Sequence, residues 1–201
     1  MASILTSLRN TVIAGSVLAI VLFVVFVSIG ATSTADVMGF HRYLFRYLHV
    51  VFGIMWIGLL WYFNFVQIPS MPKIPDEQKP AIGKVIAPTA LFWFRWAAMA
   101  TLISGIALAG VSGYLVDALL LGSQSGTPRN AVIGMGMWLA IIMWFNVWFV
   151  IWPNQKKALG IVVVEADVKV KAARTAMLFS RTNTVLSLPM LLCMVGQSHM
   201  S

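Results

Sequence analysis

Two histidines define the chemistry open to this sequence. His49 lies in "HRYLFRYLHVVFGIMWIGLLWYFNFVQ", residues 41–67, and His199 closes "TNTVLSLPMLLCMVGQSHMS" near the C-terminus. Both sit in long apolar runs, where an ionisable side chain is costly unless it has a partner or a task. Two imidazoles on different helices of a membrane bundle can grip the iron of a haem b from both faces. The haem propionates would then need cations toward the water, which Arg42 and Arg46 can supply from the preceding turns of the same helix. Gly53, one turn beyond His49, leaves room for a flat macrocycle. A plainer reading is that His49 gives a hydrogen bond to a carbonyl on a neighbouring helix while the arginines snorkel to lipid phosphates. The residues alone leave both readings open. Met99 and Met194 are alternative iron ligands, but in a chain with 12 Met the default role is packing.

The elements that must position these residues follow from composition. Of 201 residues 60% are hydrophobic and 10% charged, with mean hydropathy +0.88. A soluble domain sits nearer half apolar and a quarter charged. Several runs approach the ~20 apolar residues needed to cross the hydrocarbon core. The expectation is an all-α, polytopic membrane bundle forming a single integral domain over 1–201. Its five spans are predicted at about 11–31, 44–68, 90–121, 131–152 and 176–199. Clusters of Gly and Pro separate them: "IPSMPKIPDEQKP", "GSQSGTPRN" and "WPNQKK". The first run resembles a signal peptide followed by "ATSTA", but is long for one and is taken as a retained span.

Of the 14 Lys and Arg, all but Arg42, Arg46 and Arg129 fall on the N-terminal side of this topology. That asymmetry predicts a cytoplasmic N-terminus and a periplasmic C-terminus in a multi-pass protein of the bacterial inner membrane. It also accounts for the +8 charge without nucleic acid, since the basic residues lie in loops between spans. "VEADVKVKAARTAMLFSR" is predicted to begin as an amphipathic surface helix that runs into the last span.

At helical spacing His49, Gly53, Trp56, Leu60, Asn64 and Gln67 share one stripe, while His41 points away at the membrane boundary. In the third span Ala97, Thr101, Gly105, Ala109 and Gly113 form a four-residue ladder suited to close helix packing. Arg95 is expected to snorkel or to stack on Trp93 or Trp96. Asn146 and Asn183 are expected to hydrogen-bond between helices. Asp117 is a lone carboxylate. With no second acid, Ser–His–Asp set or Gly-rich phosphate loop, nothing points to hydrolase or nucleotide chemistry. The single Cys193 excludes an internal disulfide framework.

Four segments in order resemble the membrane domain of bacterial cytochrome-c-type urate hydroxylase. They are "LFRYLHVVFGIMWIGLLWYF", "LFWFRWAAMATLISG", "MWFNVWFVIWPNQKKAL" and "SRTNTVLSLPMLLCMVGQSH". The resemblance implies a helical redox domain that passes electrons to a c-type cytochrome on the outer face, with His49 and His199 on family histidines. Three departures stand beside it. The chain lacks a C-x-x-C-H haem-attachment motif, implying a short stand-alone form without the cytochrome c domain. The family's "LHWFKWEA" is here "LFWFRWAA", and the "VHNNY" histidine is replaced in "RTNTV". Urate oxidase activity is therefore left open.

The resulting expectation is a haem b electron-transfer protein, working with a periplasmic cytochrome c or within a larger complex. The alternative is a non-catalytic accessory subunit of such a complex. The lipid bilayer, and a second copy of the chain in a homo-oligomer, complete the expected partners.

Overall fold

All five apolar runs form helices long and apolar enough to cross a membrane, and among the described residues there is no strand. In the computed structural model, residues 5–29 and 37–199 are described, with only the backbone of Val37, Ser198 and His199. The spans are α1 (Leu8–Ser28), α2 (Met38–Lys73), α3 (Lys79–Val111), α5 (Pro128–Ala158) and α6 (Ala166–His199). A short helix, α4 (Leu115–Leu119), lies between α3 and α5. The protein is a multi-pass membrane protein.

The chain divides into two units, Met1–Leu44 and Phe45–Ser201. In the first, α1 has no buried residue, and Phe23 contacts the rings of Phe40 and Tyr43. A helix apolar all round with nothing buried is suited to face lipid.

The second unit contains the core. The predicted stripe on α2 is its inward face: Trp56, Leu60 and Asn64 are buried, and His49, Gly53 and Gln67 half-buried. Ile54 and Phe65 lie exposed on the other side. In lipid, apolar surface alone does not hold helices together, so packing and interhelical polar contacts must do so. Both are present. Phe63 meets Phe94 edge-on at 5.7 Å between ring centroids. Asn64 donates to Ser180 (2.8 Å) and Trp61 to Ser187 (3.1 Å). Asn146 and Asn183 form the interhelical hydrogen bonds expected of them, and one of these joins the two to each other. Asn146 donates to the Asn183 side-chain oxygen and Asn183 to the Met143 carbonyl, each at 2.9 Å.

Three helices widen to π geometry, over Tyr62–Gln67, Ile82–Ile86 and Asn146–Ile151. Each ends two residues before a proline, namely Pro69, Pro88 and Pro153. Proline has no N–H to donate and its ring strikes the carbonyl four residues back. A wider turn moves that carbonyl aside, so the helix continues through the proline. This is why α2, α3 and α5 run past the boundaries predicted from hydropathy.

One expectation is corrected. The third span was placed through residue 121, but α3 ends at Val111. Gly113 adopts φ +80°, a left-handed conformation that closes the helix. Gly113 therefore leaves the ladder, which continues only from Ala97 to Ala109. The segment before the last span runs into it as expected: α6 is one helix from Ala166 to His199, with Pro189 inside it.

Candidate functional site

His49 is held by α3. Its Nδ1 donates to the backbone carbonyl of Thr101 at 2.9 Å, with the Ser104 hydroxyl oxygen 3.4 Å away. A carbonyl can only accept, so the proton is on Nδ1 and the lone pair of the neutral ring is on Nε2. The imidazole occupies the space a side chain would take at residue 105. A Cβ on Gly105 would lie 2.8 Å from His49 Cε1 and 3.1 Å from Nδ1. The ladder on α3 thus does more than bring two backbones together, since one of its members makes the seat for this ring. At Gly53 a Cβ would find the Thr101 methyl group at 3.9 Å, an ordinary contact.

The plainer of the two sequence readings for His49, a hydrogen bond to a neighbouring helix, is therefore present. It does not consume the ring. A histidine whose Nδ1–H is fixed by a carbonyl presents Nε2 in the tautomer that binds metal.

Toward the end of α3, the half-buried Tyr114 lies close enough to Arg46 for the guanidinium to oppose the rise in its phenol pKa. Burial is the larger influence and pushes that pKa up. Arg42, in the first unit, is exposed. His199 is the last described residue of α6, and its side chain lies outside the described residues. Near it, Arg129 Nε donates to the Gln197 carbonyl at 3.2 Å, fixing the end of α6 against the start of α5.

Asp117 serves the connection between α3 and α5. It accepts from the backbone N–H of Gln124 (2.8 Å) and Ser125 (3.1 Å), from Asn130 Nδ2 (2.7 Å) and from the Ser125 hydroxyl. These donors, the Ser125 and Asn130 side chains foremost, lower its pKa to about 2. A carboxylate with this role organises a loop.

Arg95 stacks as expected, but on different rings. Its guanidinium lies 3.3 Å from the Trp152 ring centroid and 5.7 Å from that of Trp148, both on α5, while Trp93 and Trp96 are exposed. Residues three and four apart on one helix share a face, but Trp93 and Trp96 are two and one positions from Arg95. Among the described residues no group of three or more His, Cys, Asp or Glu could hold a metal ion.

Residues 109–201 match the urate oxidase N-terminal family. The matched stretch is just under half the chain. It takes in the Asp117 loop, α5 and α6 with the Asn146–Asn183 pair, and His199. The chain is urate oxidase N-terminal-like in this region, while His49, Arg42, Arg46 and Gly53 precede it. No curated protein and no solved structure matches the chain.

Thr101, Ser104 and Tyr114 were not singled out as site residues from sequence. The ladder contained Thr101 and Gly105, but its spacing carried no sign that a histidine 52 residues earlier would fill it.

Proposed function

We propose that the protein binds haem b and acts as an electron carrier of the bacterial inner membrane, exchanging electrons with a periplasmic c-type cytochrome. His49 would hold the iron through Nε2 and His199 would be the second ligand. The observation that supports this most is the Nδ1 hydrogen bond from His49 to the Thr101 carbonyl, which leaves Nε2 as the lone-pair nitrogen. Haem b, when bound, supplies one-electron transfer. The chain's own part is to fix the imidazole tautomer through Thr101, seat the ring on Gly105, and bring the Arg46 cation near the propionates. The charge asymmetry of the loops supports an outward-facing C-terminus. Urate turnover is not included, because Phe92 and Ala97 stand where the resembling family carries a histidine and an acid.

A reduced-minus-oxidised spectrum of the purified protein tests the proposal. Soret and α-band changes are expected, and His49→Ala and His199→Ala should each lower haem content while His41→Ala should not. Protein produced with ample haem that shows no such bands would overturn the reading, as would full haem retention in both ligand variants.

One observation favours the alternative, an accessory subunit of a larger membrane complex. Arg95 is engaged by the rings of Trp152 and Trp148, and among the described residues no acid forms an ion pair with it. A stable copurifying membrane partner without haem bands would support it.

A further inference from the structure

A cavity of about 170 Å³ opens between α2, α3, α5 and α6, at the end of the second unit opposite His49. Its walls include the apolar side chains of Phe63, Leu91 and Met177, and the lining contains no charged residue. Two glutamines line it, Gln67 on α2 and Gln155 on α5. Both amide oxygens are buried without a hydrogen-bond partner among the described residues. Ser180 also lines the cavity, and the Asn64 side chain that donates to it has its own oxygen buried and unpartnered. Buried polar groups in native proteins are nearly always satisfied, so two orphan acceptors in the lining, with a third on Asn64 behind Ser180, call for a donor from outside the chain.

We propose that this cavity binds the headgroup of a membrane quinol. The absence of charge in the lining disfavours an anion or cation, because nothing there would compensate its desolvation. The apolar walls suit a ring, and the orphan oxygens suit hydroxyl donors on it. The volume is roughly that of five or six waters in bulk, at about 30 Å³ each, and apolar walls are a poor home for such a cluster. Ala173, another lining residue, is exposed, so the cavity has a mouth on the outer surface of the bundle. The mouth lies near the helix ends that carry Lys156, Lys157 and Arg174, the depth at which a headgroup meets water while its tail remains in lipid. An oxidised quinone presents only acceptors to these oxygens, so the site favours the reduced form. Binding is all that is assigned here. It does not depend on haem at His49, which lies about 27 Å away along α2 by helix rise.

The test is equilibrium dialysis of the purified full-length protein against a decyl-tailed benzoquinol, under anaerobic conditions. Saturable binding is expected, with the dimethyl ether of the same quinol, which lacks donors, binding at least about tenfold more weakly. Gln67→Leu and Gln155→Leu should each weaken binding about tenfold. Ala176→Phe, which fills the cavity, should abolish it. Circular dichroism and elution volume verify folding, and Gln67→Met or Gln155→Met replaces any leucine variant that fails. Absence of saturable binding to the wild-type protein overturns the proposal. So does equal binding of quinol and ether, the mark of a cavity that merely takes up detergent or lipid, or wild-type affinity in folded glutamine variants.

Discussion

The two ends of the second unit are built by opposite means. At the end carrying the Asp117 loop, backbones approach over glycine. A Cβ on Gly134 would strike the Ala118 backbone carbonyl, and one on Gly136 would come within 2.8 Å of Cys193 Cβ. Gly105 belongs to the same pattern, with His49 filling its missing side chain. At the proline end the helices widen, and amide and hydroxyl side chains bridge them, leaving several oxygens unpaired. In lipid, where burying apolar surface between helices gains little, a bundle can gain cohesion from close van der Waals contact or from polar bridges. This molecule uses the first where it holds a histidine and the second where it keeps a cavity.

The contrast can be broken by substitution. Gly134→Ala should have the largest effect, a loss of about 3 kcal/mol in unfolding from mixed micelles, because the obstacle is backbone and cannot turn away. A neutral result would mean that α4 is not seated on α5. Asn183→Ala, at the polar end, should cost about 1–2 kcal/mol, since Asn146 loses its acceptor and the Met143 carbonyl a donor. Gly58→Ala should be neutral or stabilising by up to about 1 kcal/mol, because a Cβ there meets nothing within 4 Å. If it destabilises as much as Gly134→Ala, helix propensity and not close approach separates the glycines.

The smallest effect should be local and pH-dependent. The Asp117 carboxyl is lowered from 3.8 to about 2 in the folded protein. Its contribution is therefore full above the ordinary value, declines as pH falls below it, and is gone once pH passes through about 2. Amide exchange at Gln124 and Ser125 should lose protection over that window beyond the intrinsic change of rate. In Asp117→Asn the excess should disappear.

The sequence made some of this legible and hid the rest for identifiable reasons. The stripe from His49 to Gln67 could be read because it keeps α-helical phase as far as the wide turn at Tyr62–Gln67 and ends within that turn. The interhelical bonding of Asn146 and Asn183 could be read because an amide within a span has few alternatives to another helix, but that they bond to each other could not. The end of α3 was missed because "VSGYLVDALLL" stays apolar on both sides of Gly113, and hydropathy does not register a left-handed backbone. Arg95 was matched to its sequence neighbours, whereas Trp148 and Trp152 are brought to it only by the packing of α5. The prolines were visible as punctuation, but the wide turns that carry the helices through them leave no mark in composition. The seat under His49 was half legible: the small-residue ladder showed where a neighbour would approach, but not which side chain would fill it.

The wide turns also determine where this chain can tolerate a change in length. Each i→i+5 turn holds one residue more than the α-helical ladder needs. Deleting one residue within Tyr62–Gln67 or Asn146–Ile151 would take up slack, leaving the faces on either side in phase once the proline is also replaced. The same deletion beside Gly134 would rotate the rest of α5 by about 100° and carry its contact surface away from α4. Homologues should therefore differ in length by single residues at the proline end and keep a fixed count through the glycine end.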